Sequence, residues 1–250
     1  MKSLRVGIIG LGTVGGGVYN ILKKKSSLLS ARGGVPVRIA GVCDTNKKRL
    51  QALRVSKSRI YTDAFKLIKS PDIDCVVELV GGKGVAKKIV REALINGKDV
   101  VTANKALLAE YGHELFPLAR KHGRYILFEA SVGGGIPIVK TIQESLISNR
   151  ITSILSIING TANYILTKMT YDGMSFAEAL RLAKAKGYAE ADPTFDVEGI
   201  DSAHKIVILS ELAFGRGIPL KKIHCEGITH IEQGDIAFAR FVHRRLSVSI

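Results

Sequence analysis

The sequence has no tryptophan, only three cysteines in 250 residues, and no long hydrophobic run. A membrane-spanning helix needs roughly 20 apolar residues, so we expect no membrane association. Cys43, Cys75 and Cys225 are widely spaced and odd in number, which is typical of reduced, packed thiols rather than of a disulfide framework or a cysteine metal site. The N-terminal apolar run leads straight into glycines, unlike a secretory signal. These features together predict a cytoplasmic protein.

Acidic residues are too few to balance the basic ones, and the formal net charge is +15. Such an excess is typical of proteins that bind nucleic acid or phosphate-bearing ligands. The cations occur in short clusters that mostly alternate with apolar positions at helical spacing, as on solvated helix faces. No interleaving of aromatic and basic residues accompanies them. We therefore expect no nucleic-acid partner, although the charge would attract an anionic cofactor.

The first 130 residues alternate between apolar runs and amphipathic stretches. Continuous apolar strands separated by helices predict an α/β fold, a doubly wound parallel sheet with helices on both faces. The predicted strands are 4–10, 37–43, 74–80, 98–102 and 124–130, and helices are predicted over 84–96 and 105–122.

A second pattern begins after the first 130 residues. A helix over 137–148 precedes the β-branched run Ile151 to Ile158, and further helices are predicted. Those helices are 161–171, 175–186 and 199–214, and Ser175 and Glu178 have capping-box spacing. The pattern predicts two domains, a nucleotide-binding domain over 1–130 and an α+β domain over 131–250.

A glycine-rich turn joins the first predicted strand to the first helix. A GxGxxG segment in this setting permits a tight turn, a close approach to a pyrophosphate, and helix–strand packing. It predicts a dinucleotide site at Gly10, Gly12, Thr13, Val14 and Gly15.

Two interpretations of the cofactor follow from the end of the second predicted strand. Asp44 is placed where a carboxylate holds the ribose hydroxyls of NAD. Lys47, Lys48 and Arg49 could instead pair with the 2′-phosphate of NADP, or simply be a solvated helix start. The three cations lead us to favour NADP(H) over NAD(H).

A lysine and a glycine run follow later strands. Lys105 begins a helix that Asn104 can cap, at the sheet edge where α/β proteins bind ligands. Three glycines follow Glu129 and Val132, and in an extended segment Val132, Gly134 and Ile136 share one side. Their carbonyls and Glu129 could form an oxygen-rich cation site, and the alternative is a hinge between domains.

The stretch from Gly187 to Lys205 holds five carboxylates and ends in a lysine. Asp201 and Lys205 are four residues apart and share a helix face. The flanking residues are apolar all round, which predicts a buried helix. A buried lysine is costly unless it is paired or functional, so we predict an acid–base role rather than an exposed ion pair.

With these motifs in place, the chain closely resembles homoserine dehydrogenases. The matching segments are GLGTVG, VTANKALLA, FEASVGGGIPIV, INGTANYIL, GYAEADPTFDVEGIDSAHK and GITHIEQGDIAFAR. The resemblance implies NAD(P)-dependent interconversion of homoserine and aspartate 4-semialdehyde, on the route to threonine, methionine and isoleucine.

The resemblance also assigns roles to individual residues. It implies that Lys205 is the acid/base lysine, that Lys105 lies near nicotinamide and substrate, and that Asp201 orients the substrate. Glu190, with Asp196, would bind the substrate. The segment Glu129, Val132, Gly134 and Ile136 would hold a sodium-type cation. A homodimer formed through a sheet surface around Ile151 to Ile158 is implied as well.

Two alternatives accompany this expectation. The resemblance ends near residue 240, whereas the family continues, so the product could be a catalytically impaired NAD(P)-binding fragment of that enzyme. Aspartate-semialdehyde and glyceraldehyde-phosphate types of dehydrogenase share the architecture but acylate a cysteine. Only Cys225 lies in the second predicted domain, outside every motif above.

Overall fold

The computed structural model describes residues 3–215 and 217–242. The chain forms two compact units, Met1–Ile138 and Val139–Ile250.

The first unit is built on one six-stranded sheet in which every pair of neighbours is parallel. Its strands are β1 Leu4–Ile9, β2 Val37–Cys43, β3 Ile60–Tyr61, β4 Cys75–Glu78, β5 Asp99–Thr102 and β6 Ile126–Leu127. Their order is β3-β2-β1-β4-β5-β6, with β1 and β4 in the centre. The central strands are almost wholly buried, as expected where helices cover both faces. The predicted doubly wound fold is therefore confirmed.

Helices alternate with these strands, as the sequence predicts. They are α1 Thr13–Lys24, α2 Ser26–Gly33, α3 Lys47–Ala52, α4 Ala64–Lys69, α5 Gly84–Ile95 and α6 Lys105–Lys121. Apolar residues of β1, β2 and β4 pack against Tyr19 of α1 and Leu50 of α3 to form one core. The carboxyl ends of the parallel strands share one sheet edge, where the loops that precede α1, α3 and α6 begin.

The second unit is helical in the described residues. Its helices are α7 Ile138–Lys140, which continues as a π-helical turn over Thr141–Ser145, α8 Gly160–Asp172, α9 Phe176–Ala185, α10 Thr194–Val197, α11 Ile200–Phe214 and α12 Gln233–Phe241. Ile165, Met169 and Ile228 lie at the centre of its core. The predicted capping box at Ser175 and Glu178 is confirmed at the start of α9. Among all helices of residues 3–215 and 217–242, none has both the length and the apolar character that crossing a bilayer requires.

The segment 151–158 differs from its prediction. It has no regular secondary structure, and no described strand pairs with it, so the sheet surface expected there is not formed. β-branched residues favour strands only where a neighbour accepts and donates backbone hydrogen bonds and covers the side chains. Leu155 and Ile157 are instead 95% and 78% exposed. The homodimer expected at this surface remains a prediction.

The three cysteines are free thiols, as predicted. Cys43 and Cys75 are buried in the sheet. Burial raises the pKa of Cys43 and raises that of Cys75 to about 12. Cys225 is exposed, so the expectation of a packed thiol is wrong at this position.

Candidate functional site

The glycine turn after β1 allows helix α1 to approach the sheet closely. Gly10 has φ +93°, and a Cβ on it would lie 2.5 Å from the Leu79 carbonyl oxygen. A Cβ on Gly15 would lie 1.9 Å from the Gly10 carbonyl oxygen. Around Gly12, by contrast, the nearest atom to such a Cβ is Arg49 Nη1, at 4.0 Å. Gly10 and Gly15 thus serve packing inside the chain, whereas Gly12 leaves space for a ligand.

The amino end of α1 fits the pyrophosphate of a dinucleotide. Gly12 occupies the N-cap position, so the N-cap residue has no side chain that could accept a hydrogen bond from the first turn. The α-helix is 12 residues long, so its dipole adds a partial positive charge at these amide groups. Uncapped amides beside a glycine without steric hindrance are the arrangement that binds phosphate in this fold.

Asp44 contacts the glycine turn itself. Its Oδ2 accepts from the Leu11 backbone N–H at 2.5 Å, and its Oδ1 accepts from the Asn46 N–H at 2.6 Å. The side chain is only 5% exposed, and the Arg49 guanidinium lies 3.9 Å from the carboxylate. The sequence placed Asp44 correctly at this edge, but its carboxylate holds the turn in shape.

A buried carboxylate, Glu78, anchors the hydrogen-bond network that leads to Lys105. The sequence analysis did not single it out. Glu78 at the end of β4 is fully buried. It accepts hydrogen bonds from the Val80 N–H at 2.9 Å and the Thr102 hydroxyl at 2.7 Å. Thr102 Oγ1 in turn accepts from the Asn104 N–H, and Asn104 caps α6 as predicted. Lys105, the half-buried first residue of α6, is therefore held by a network that joins β4 to β5.

The glycine run after Glu129 is not extended, so the spacing argument for a cation site fails there. Gly133 and Gly134 have φ of +79° and +60°, and the Ile136 N–H donates to the Gly133 carbonyl at 3.0 Å. Glycines tolerate this left-handed backbone, which turns the segment instead of continuing it. Within residues 3–215 and 217–242, no three His, Cys, Asp or Glu side chains are grouped to hold a metal ion. The predicted cation site would consist of backbone carbonyls and the single carboxylate of Glu129, so this search does not test it. It remains a prediction.

In the second unit, Asp201 and Lys205 form the predicted ion pair on one face of α11. Lys205 Nζ lies 2.5 Å from Asp201 Oδ2 and 2.5 Å from the Ile158 carbonyl oxygen. The Asp201 side chain is 4% exposed and that of Lys205 is 16% exposed, so the carboxylate is buried and the lysine is largely covered. When two of the N–H groups of a lysine ammonium point at two acceptors, the third N–H points away from both.

Two further residues, Asn159 just before α8 and Thr161 in its first turn, contact the carboxylates of this region. The sequence analysis assigned a role to neither. Asn159 Nδ2 donates to Asp196 Oδ1 at 2.7 Å and to Asp201 Oδ2 at 3.0 Å. The Thr161 hydroxyl lies 2.9 Å from Asp196 Oδ2 and 2.7 Å from the Tyr188 carbonyl oxygen. An asparagine followed by Gly-Thr is typical of a helix start, so the sequence could have indicated the cap. The contacts of Asn159 and Thr161 with Asp196 and Asp201 depend on the fold.

Comparison with known proteins gives the same family along the whole chain. Residues 10–129 match the model described as "Homoserine dehydrogenase, NAD binding domain", and residues 137–248 match the model "Homoserine dehydrogenase". A homoserine dehydrogenase of Neisseria gonorrhoeae is 47% identical over 248 residues, which cover 99% of this chain and 57% of that protein.

Solved structures agree. A homoserine dehydrogenase from Thiobacillus denitrificans has a TM-score of 0.89 at 44% identity, covering 97% of this chain and 56% of that one. A putative homoserine dehydrogenase from Archaeoglobus fulgidus has a TM-score of 0.84 at 33% identity, covering 96% of this chain and 77% of that one. The chain belongs to the homoserine dehydrogenase family. It spans about half the length of the curated homoserine dehydrogenases that it matches.

The geometry of Cys225 disfavours a role as a cysteine nucleophile. Its thiol lies 3.2 Å from the Glu198 carbonyl oxygen. Partial burial, and then the charge of Glu198, raise the pKa of Cys225. Acylation requires a thiolate, which a raised pKa disfavours.

Glu190, the carboxylate that the family resemblance assigns to the substrate's amino group, is exposed. It follows the buried Ala189 in the loop after α9. That loop also carries Asp192, whose carboxylate accepts hydrogen bonds from Thr194, so hydrogen bonding lowers its pKa. The segment therefore carries one exposed carboxylate, Glu190, a half-buried one, Asp196, and a buried one, Asp201.

Proposed function

We propose that this chain interconverts L-homoserine and L-aspartate 4-semialdehyde, with NADP(H) as the hydride carrier. The observation that carries the proposal is the Asp201–Lys205 pair, closed by the Ile158 carbonyl, in a member of the homoserine dehydrogenase family. The uncapped start of α1 beside Gly12 supports the nucleotide part of it.

Lys205 handles the proton of the substrate oxygen. A lysine ammonium has three hydrogens, and here two of them can be donated to Asp201 and to the Ile158 carbonyl. The third can be donated to the aldehyde oxygen during reduction. In the oxidative direction the neutral amine takes the hydroxyl proton as C4 loses hydride. The bound nicotinamide supplies or accepts that hydride.

Other residues bind the substrate. Homoserine carries an ammonium group, so the carboxylates of Glu190 and Asp196 are its natural partners. Asp201 keeps Lys205 oriented, since its Oδ2 accepts from Nζ within the same helix. Lys105 would contribute a cation near nicotinamide and substrate.

For the first unit the proposal includes a sodium-type cation at the segment with Glu129. Carbonyl and carboxylate oxygens are the ligands that hard cations prefer. The donor set supports it: Glu129 is half-buried, and Val132, Gly134 and Ile136 each have a backbone carbonyl.

The experiment that tests the function is a spectroscopic assay of the purified chain. With L-homoserine and NADP, we expect formation of reduced nicotinamide at about 1–10³ per second, the ordinary enzyme range. 2-Aminobutyrate, which lacks the reacting hydroxyl, is the control substrate and should give no signal. A chain that binds NADPH but shows no homoserine-dependent reduction would contradict the proposal.

The preference for NADP(H) rests on Asp44 and Arg49. The Asp44 carboxylate accepts one backbone amide hydrogen bond on each oxygen, so holding the turn already accounts for a carboxylate at this position. Arg49 is 52% exposed, and its Nη1 is the atom nearest to a Cβ placed on Gly12. A guanidinium there can pair with a 2′-phosphate.

We expect Arg49→Ala to raise the dissociation constant of NADPH about tenfold or more, because a charge-assisted hydrogen bond contributes about 1.5–3 kcal/mol. The NADH constant should change little. Arg38→Ala is the matched control, since Arg38 is exposed near the start of β2, at the opposite sheet edge. Fluorescence titration of the wild type and both variants measures the six constants, and an equal loss of NADPH and NADH affinity in Arg49→Ala would refute a 2′-phosphate contact.

A further inference from the structure

Asn159 has a fixed amide orientation. It is buried and precedes α8, and its Oδ1 accepts from the Ala162 N–H at 2.7 Å. Since that oxygen caps the helix, the amide nitrogen must point the other way.

The amide nitrogen spans two carboxylates from different helices. One contact is to Asp196 Oδ1, in α10, and the other is to Asp201 Oδ2, in α11. Both amide hydrogens are therefore used. Asp201 Oδ2 is also the atom that accepts from Lys205 Nζ. Two nearby negative charges repel one another, and the shared donor holds them at a fixed separation.

A cap alone does not need this arrangement. Serine and aspartate cap helices about as well as asparagine, but neither offers two donor hydrogens. Only the amide can cap α8 and bridge Asp196 to Asp201 at once.

We propose that Asn159 is a positioning residue for the reaction: it holds Asp196 and Asp201 together and thereby sets the position of Lys205 Nζ. The proposal rests on the proposed function for its kinetic readout. Asn159 acts through Asp201, so its loss should slow the chemical step without abolishing it.

Of the other titratable groups around α11, His204 is buried and Asp196 is half-buried, whereas those on the neighbouring turns are exposed and influence Lys205 less. His204 is its neighbour on α11, and Asp196 lies on α10. The π-helical turn carries Glu144 and the 3₁₀ turn Leu220–Lys222 carries two lysines, all with exposed side chains. Exposed charges are screened by solvent and salt, whereas Asp201 is 4% exposed and in contact.

The test uses two variants that keep a capping oxygen, Asn159→Ser and Asn159→Asp. We expect kcat for homoserine oxidation to fall about 100-fold, the usual cost of a small misplacement of catalytic groups. The rise of activity with pH should also move to higher pH, most in Asn159→Asp, since an added negative charge favours the ammonium form of Lys205. Ser175→Ala, which removes the cap of α9, is the control and should lower thermal stability without moving the pH profile.

A second measurement separates this inference from the proposed function. The titration of Lys205 Nζ can be followed by NMR in wild-type and variant chains, with or without turnover. A shift to higher pH in Asn159→Asp supports the positioning role even if the wild type proves inactive with homoserine. An unchanged titration, or variants that keep kcat and pH profile within about twofold, overturns it.

Discussion

Replacing Lys205 with methionine should lower kcat with homoserine by about 10²–10⁴, the range that general acid–base catalysis contributes. Methionine keeps the length and apolar stem of the side chain but cannot carry the proton. Asp201 keeps its contact with Asn159, so its charge is not left alone. NADPH affinity should stay within about twofold, because the glycine turn proposed to bind the pyrophosphate lies in the first unit. Steady-state kinetics and fluorescence titration measure the two quantities.

Lys168→Met is the matched control for this substitution. Lys168 and Asp172 form another i,i+4 pair in the second unit, 2.6 Å apart, with side chains 26% and 40% exposed. An exposed ion pair of this kind contributes little to stability because solvent screens it, so neither activity nor stability should change much. If Lys205→Met kept a tenth of the wild-type kcat, or if Lys168→Met lost as much, the acid–base role of Lys205 would be wrong.

Gly12→Ala should weaken NADPH binding about tenfold or more while leaving the fold intact. Gly12 has φ −61°, which alanine adopts, and an added Cβ meets no atom closer than 4.0 Å. The methyl group would occupy the space through which a pyrophosphate reaches the α1 amides, and each charge-assisted bond lost costs about 1.5–3 kcal/mol. The free energy of unfolding should stay within about 0.5 kcal/mol.

Two glycines inside α1 serve as comparisons for Gly12→Ala. Gly15→Ala forces a Cβ to 1.9 Å from the Gly10 carbonyl oxygen, so it should cost about 3 kcal/mol or more in stability. Gly17→Ala meets nothing within 4 Å inside α1 and should instead stabilise by about 0.5–1 kcal/mol. Denaturant unfolding and NADPH titration of all three variants distinguish the roles. Equal NADPH affinity in wild type and Gly12→Ala would show that no ligand approaches this glycine.

Periodicity in the sequence was sufficient for the sheet because parallel strands are buried on both faces. The runs over β1, β2, β4 and β5 are continuous and apolar, and each is followed by a turn and a helix. The edge strand β3 has only two residues, Ile60–Tyr61, too few for any pattern. At 151–158 the β-branched composition predicted a strand, but composition does not supply the partner strand that backbone hydrogen bonds require.

In the candidate site, too, local spacing was predictable from the sequence and tertiary contacts were not. Asp201 and Lys205 were predictable because a fixed helical spacing brings them together. Asn159 and Asp196 are 37 residues apart in sequence, and only tertiary packing joins them. Asp44 was predicted at the correct sheet edge, yet the direction of its carboxylate depends on the Leu11 amide of another loop.

The single exposed thiol offers a spectroscopic handle on the second unit. Cys43 and Cys75 are buried, whereas Cys225 is exposed, so a maleimide dye should label the chain at one position. A Cβ on Gly199 would lie 2.9 Å from Cys225 Sγ, which puts the label beside the N-cap of α11. Fluorescence from that dye would report on movements of the helix that carries Asp201 and Lys205, without introducing a new cysteine.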